Sequence, residues 1–218
     1  MSKTPFIILA VAVAAVLALV ALSGVFGGGG SEVNYTVVIR LSTPQGAYGG
    51  AIAWMLVGYG QGDGYIVMGF PGMPMRFYLA TEQGTPYAAM CSADVCARLT
   101  NVPLSDTSVR LIDWSKAKAT ELGGCTHLGR PGRLVKVNLP LSSSLLGNLI
   151  ASSGAARLPG SNADAYVCES GGVPLWINIT STIEAAGAKY TAEYKLIAVS
   201  VGPFNANTYQ EALKKAKG

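Results

Sequence analysis

Histidine is all but missing from this chain: His127 stands alone among 218 residues. With one imidazole there is no defensible Ser/His/Asp grouping, and neither a nucleophile elbow nor a phosphate loop occurs. The sequence therefore reads as a non-enzyme. Charge is scarce as well. Acidic and basic residues make up 13% of the chain, about half the share usual in soluble domains. The net charge of +4 is spread out, and no basic run exceeds Lys214-Lys215. That excludes a nucleic-acid footprint. No Cys-x-x-Cys is present, which removes a thioredoxin-like redox motif. The spacing of Cys91, Cys96, Cys125 and His127 matches no zinc pattern, so neither a metal nor a cofactor is expected. Gly58-Tyr59-Gly60-Gln61-Gly62 lies between two strand-like runs with no helix after it, and reads as a turn.

What the chain does have is one long apolar run. Pro5 to Leu22 carries no charge, and with Ser23 to Phe26 it reaches the ~20 residues that cross a bilayer as a helix. Lys3 precedes it and Glu32 is the first charge after it. The positive-inside rule puts the N-terminus in the cytoplasm and the rest outside. An uncleaved signal-anchor fits the length of the run. A secretory signal peptide cut near Ala21-Leu22-Ser23 is the competing reading. A pilin-type filament helix would want a charged processing site ahead of the run, and none is there. The expected organisation is an anchor over residues 1–26, a Gly-rich tether over 27–32 spanning about 10–15 Å, and an extracytoplasmic domain over 33–218.

An even count of four cysteines (Cys91, Cys96, Cys125, Cys168) suits such a compartment. Three pairings exist in principle. Cys91 and Cys96 flank a four-residue loop that looks like a hairpin end, which leaves Cys125–Cys168 as the long-range staple. That bridge would close a loop of about 43 residues, worth some 3–4 kcal/mol. Asn34 and Asn178 open Asn-x-Thr triplets, making them glycosylation candidates on the correct side of the membrane.

Most of the exported part alternates apolar and polar residues with period two. Strands are expected over Val33–Leu41, Ile52–Tyr59, Tyr65–Phe70, Met75–Thr81, Tyr87–Cys91, Val95–Leu99, Tyr166–Glu169, Leu175–Thr180 and Tyr190–Val201. Helices are expected over Asp113–Leu122, stopped by Gly123-Gly124, over about Ser142–Ala156, and over Thr208–Lys217. The fold class is α+β, mostly β, arranged as an antiparallel meander after the N-terminal transmembrane helix.

Two stretches carry a family resemblance. Pro71-Gly72-Met73-Pro74-Met75-Arg76-Phe77-Tyr78 resembles the strand of lipoprotein-carrier-like proteins in which an arginine follows a proline break. Tyr166 to Trp176, with Val173-Pro174-Leu175 after a glycine turn, is similar to a hairpin of the same superfamily, and Val199 to Asn205 ends the following strand in the same manner. The resemblance implies a curved antiparallel half-barrel with short helices covering an apolar, acyl-chain-receiving face.

On that reading Trp54, Met68, Met75, Phe77, Trp176, Tyr190 and Tyr194 are candidates to line a hydrophobic pocket, with Arg76 at its rim for an anionic head group. The expected partners are the membrane and a lipid or other hydrophobic ligand. Two other classes compete. In a structural or adhesive surface protein, the Val33–Leu41 strand would complete a neighbour's sheet. In a sensor or accessory domain, the partner would be a membrane complex.

Overall fold

The computed structural model describes residues 30–43, 46–60, 63–99, 118–140, 162–185 and 188–218. The N-terminal apolar run and the helix expected over Ser142–Ala156 lie outside these residues. Among the described residues no helix is long and apolar enough to cross a membrane.

Among the described residues eleven strands form one antiparallel sheet. They are β1 (Ser31–Thr43), β2 (Gly46–Tyr59), β3 (Gly64–Gly69), β4 (Met75–Glu82), β5 (Thr85–Ser92) and β6 (Val95–Arg98), then β7 (Lys118–His127), β8 (Arg130–Pro140), β9 (Asn162–Ser170), β10 (Val173–Ala185) and β11 (Ala188–Pro203). The single described helix, α1, spans Ala206–Lys217. The strand order is β6-β5-β4-β3-β2-β1-β11-β10-β9-β8-β7, so the curved sheet is open, with β6 and β7 at its edges. Two meanders meet at β1, which pairs along its whole length with β2 and over most of it with β11. Both hydrogen-bonding edges of β1 are therefore occupied within the chain. This corrects the expectation that Val33–Leu41 is a donor strand, which needs that edge free.

Tight turns set the registers. Gln83-Gly84, Leu128-Gly129 and Gly171-Gly172 each place two successive residues at positive φ, between strand residues that pair directly. That is the backbone of a type I′ hairpin, whose twist matches the strands it joins.

The helix expected over Asp113–Leu122 is corrected, its first five residues lying outside the described set. Lys118 to Leu122 belong to β7, and Lys118 to Glu121 pair with β8. Gly123, read as part of a helix stop, follows a register shift in mid-strand at φ 137°. Good helix formers are overridden here by pairing with β8 and by a covalent tie to β9, since propensity is only a weak prior. The strand β8 was not anticipated, although Leu134 to Leu139 alternate in the β manner.

The two sides of the sheet differ. On one, Val33, Tyr35 and Val37 of β1 join Met55 and Val57, Ile66 and Met68, Phe77 and Leu79, Ala88, Val135 and Val137, Val167, Ile177, and Leu196 in a single buried cluster. On the other, α1 lays Tyr209, Ala212, Leu213 and Ala216 over Tyr65, Val67, Tyr78, Ala80 and Cys91. Helices were expected to cover the large apolar face. The described helix instead packs on the opposite side, because its own apolar stripe matches the residues of alternate parity on β3, β4 and β5.

The helix is well fixed. The Asn205 side chain caps it by accepting from the N–H groups of Asn207 and Thr208 at 3.0 and 3.2 Å, an interaction worth about 1 kcal/mol. The Tyr209 hydroxyl donates to the Thr81 carbonyl at 3.0 Å. Lys215 and Lys217 reach Asp94 and Glu82 at 3.3 and 2.7 Å, on two different hairpins.

Candidate functional site

The apolar face is a buried cluster that continues across most of the sheet. It arises because strands of period-two sequence share register across nine neighbours, from Ala88 in β5 to Val137 in β8. Each fully buried aliphatic side chain there stabilises the fold by about 1.5–3 kcal/mol.

Of the residues expected to line a pocket, Met68, Phe77 and Tyr194 lie on this face and are buried within its cluster. Met75 is half-buried and shares the strand parity of Phe77. Tyr190 lies on β11 opposite Ile183. Trp54 is not among them. It faces the α1 side, with its ring across the bare backbone of Gly69: a Cβ there would lie 2.5 Å from the indole. Arg76 stacks on the same indole, its guanidinium carbon 5.7 Å from the ring centroid. The arginine is thus placed beside Trp54 on the helix side, away from Met68 and Phe77. Trp176 also alternates to the outer side, opposite Cys168 and Ile197. Period-two alternation separates these residues, and a list of large apolar residues does not carry that parity.

Residues not singled out from sequence complete the face. Tyr35, Tyr59 and Met55 belong to it. The Tyr35 hydroxyl donates to the Pro174 carbonyl at 2.7 Å, reaching past β11 to β10. Burial holds its ionisation far above the ordinary tyrosine range. Tyr59 is pushed up in the same direction, first by burial and then by Tyr35. Its hydroxyl oxygen is buried and has no hydrogen-bond partner. Leaving a hydroxyl so costs about 1–3 kcal/mol by mutational scales.

At one margin of the sheet β10 leaves β11. Their pairing stops at Trp176–Ile197, while β11 runs on beside β1 to Pro203. The β7–β8 turn fills the gap. The His127 ring Nε2 donates to the Ala198 carbonyl at 2.7 Å, and Arg130 donates to that of Val201 at 3.3 Å. So the single histidine serves a backbone acceptor. Nearby, Glu169, the one charged residue in the buried class among those described, bonds to Arg133 on the neighbouring strand. That bond and the carboxylate's charge raise the arginine's pKa.

Both disulfides are as the hairpin reading had them: Cys91–Cys96 joins β5 to β6, and Cys125–Cys168 joins β7 to β9 across β8. Gly132 makes the second approach possible, since a Cβ there would lie 2.3 Å from the Glu169 carbonyl oxygen. The two sequon asparagines sit in mid-strand and half-buried, Asn34 on β1 and Asn178 on β10. Asn178 donates to Glu193 at 3.4 Å.

No family model matches the chain, and no curated protein matches it. Solved structures align with most of its length. One, described as an outer membrane lipoprotein-sorting protein domain from Vibrio parahaemolyticus, aligns at TM-score 0.35 and 9% identity, covering 93% of this chain and 98% of that one. The lipoprotein LppX of Mycobacterium tuberculosis aligns at 0.34 and 11%, covering 85% and 93%. A LolA superfamily protein from Nitrosomonas europaea aligns at 0.27 and 11%, covering 84% and 93%.

Proposed function

We propose that this chain is a membrane-tethered, extracytoplasmic protein that holds a lipid or other hydrophobic ligand against the apolar face of its sheet. The observation that carries this reading is the asymmetry of the sheet. One side is apolar across nine strands, while α1 packs on the other. Met55, Met68, Phe77, Tyr35 and Tyr194 are the contacts proposed for the ligand. Methionine side chains adapt to irregular apolar shapes, and aromatic ones supply large contact area.

The N-terminal run Pro5–Phe26 and the two disulfides support export and tethering. β1 begins at Ser31, beside Tyr59 and Pro203. Gly30 is already held there: it donates to the Tyr59 carbonyl at 2.9 Å and accepts from the Phe204 N–H at 2.7 Å. With so few residues between Phe26 and Gly30, that end of the sheet would rest close to the bilayer. A ligand taken up there would pass locally between the membrane and the sheet.

The test is purification of the full chain from membranes in mild detergent, followed by native mass spectrometry and organic extraction. A non-protein mass released by solvent is the expected result. A chain that carries nothing, and takes up no fluorescent fatty-acyl probe in titration, would remove the proposal.

A further inference from the structure

Tyrosine hydroxyls on both sides of this sheet find acceptors within the chain. Tyr35 donates to Pro174, Tyr209 to Thr81 and Tyr65 to Glu32. Tyr59 does not. Its hydroxyl oxygen is buried and unbonded, although the ring packs with the apolar cluster. A phenylalanine would fill the same space without an unsatisfied donor, so the hydroxyl is unfavourable to the empty fold.

The surroundings restrict what would satisfy it. The Tyr59 ring packs with the apolar cluster, against which Ile39, Phe70 and Val201 also lie. Of the described cations, Arg130 reaches this end of the sheet, where it donates to the Val201 carbonyl, and Arg133 is paired with Glu169. A carboxylate or phosphate drawn in to the buried Tyr59 hydroxyl would have to leave water for an apolar cluster. A neutral acceptor, such as a carbonyl or ether oxygen, takes the hydrogen bond without that penalty.

We infer that Tyr59 is the polar anchor of the apolar face, donating its hydroxyl to an ester carbonyl of an uncharged long-chain lipid. The inference rests on the reading of the apolar face as the ligand site, and it adds the ligand's class and direction. Tyr59 closes β2 and pairs with Ser31, the first residue of β1. The ester would lie at the end of the sheet where the tether enters, with the hydrocarbon running along Met55 and Met68. Burial and the neighbouring Tyr35 keep the hydroxyl protonated well beyond the ordinary tyrosine range, so it remains a donor.

The experiment compares three probes of matched chain length on the full chain: ethyl palmitate, palmitate and hexadecane. Each displaces a fluorescent acyl probe from the wild type and from Tyr59→Phe. Wild type is expected to prefer the ester over hexadecane by about five- to tenfold, the size of one neutral hydrogen bond. Tyr59→Phe should abolish that preference and leave hexadecane unchanged. Ligand-free Tyr59→Phe should melt no lower than wild type. A preference that survives the substitution, palmitate binding as tightly as the ester, or a ligand-free variant that melts lower would each overturn the assignment. Uptake of hexadecane with no ester preference removes Tyr59's role alone, whereas uptake of none of the three removes the ligand site as well.

Discussion

At the scale of single residues, the turns carry more information than the core. Leu128 sits at φ 52° and is 46% exposed. It holds a left-handed position where glycine or asparagine is at ease, and the strain costs a bulky residue about 1 kcal/mol or more. Nearly half of the residue is exposed, which limits what packing can offset. Leu128→Asn should therefore raise the denaturant midpoint by the equivalent of about 1 kcal/mol; an unchanged or lower midpoint would mean that the leucine is held by contacts of its own. The same residue explains why this hairpin escaped sequence reading. Leu-Gly is not a turn signature, whereas Gly171-Gly172 at the β9–β10 turn is. Aromatic rings laid over bare glycine follow a similar logic. Gly58 lies under Tyr65 and Gly69 under Trp54, so a glycine that looks like a strand breaker is a seat for its neighbour's ring.

Elements are held by a few unequal ties. Cys91–Cys96 closes a loop of sequence separation 5 and Cys125–Cys168 one of 43. In the chain-entropy model the longer loop is worth about 3–4 kcal/mol and the shorter one less. Replacing Cys125 and Cys168 with serine should lower unfolding free energy by about that amount, whereas replacing Cys91 and Cys96 should cost less. Equal losses in urea titrations of the two double variants would contradict this ranking. The long tie also bears on the edge strand. Among the described strands β7 pairs with β8 alone, so it is tied down further by the bridge to β9 and by the His127 bond to the Ala198 carbonyl. Its helix-favouring residues Lys118 to Leu122 hid it from propensity and pattern reasoning. α1 was legible, by contrast, because its amphipathic spacing and terminal lysines agree with its tertiary packing.

For the whole molecule, a group of ion pairs lines the side of β1 and the second meander away from the apolar cluster. Lys136 meets Asp164 at 3.0 Å, Lys195 meets Glu193 at 3.0 Å, and Arg40 lies 4.0 Å from Glu193. Hydrogen bonds from Lys136 and Asn138 hold the Asp164 carboxyl below its ordinary value of 3.8, and Lys195 does the same, below 4.5, for Glu193. A carboxylate depressed by folding adds stability above its unfolded pKa and loses it as pH falls through the folded one. The melting temperature should thus begin to fall below about pH 4.5. The double variant Asp164→Asn with Glu193→Gln should melt lower at neutral pH and show a shallower acid slope. An identical slope would place the acid sensitivity elsewhere. These groups are partly exposed, so the effect should be modest and weaken with salt.

The sequence by itself determined the period-two strands other than β7 and β8, the Gly171-Gly172 hairpin, the local Cys91–Cys96 pairing and the C-terminal helix, because each is written in residues close along the chain. Tertiary structure alone decided which side each strand shows. Trp54, Arg76 and Trp176 were separated from Met68, Phe77 and Tyr194 by register, and a shift of one residue exchanges the two faces of a strand. It also decided that β1 lies between β2 and β11, where its whole backbone is paired, and that Tyr59 closes its strand with a hydroxyl left unbonded. Both facts depend on partners more than a hundred residues away or on the absence of any partner, and neither kind of fact is local to the chain.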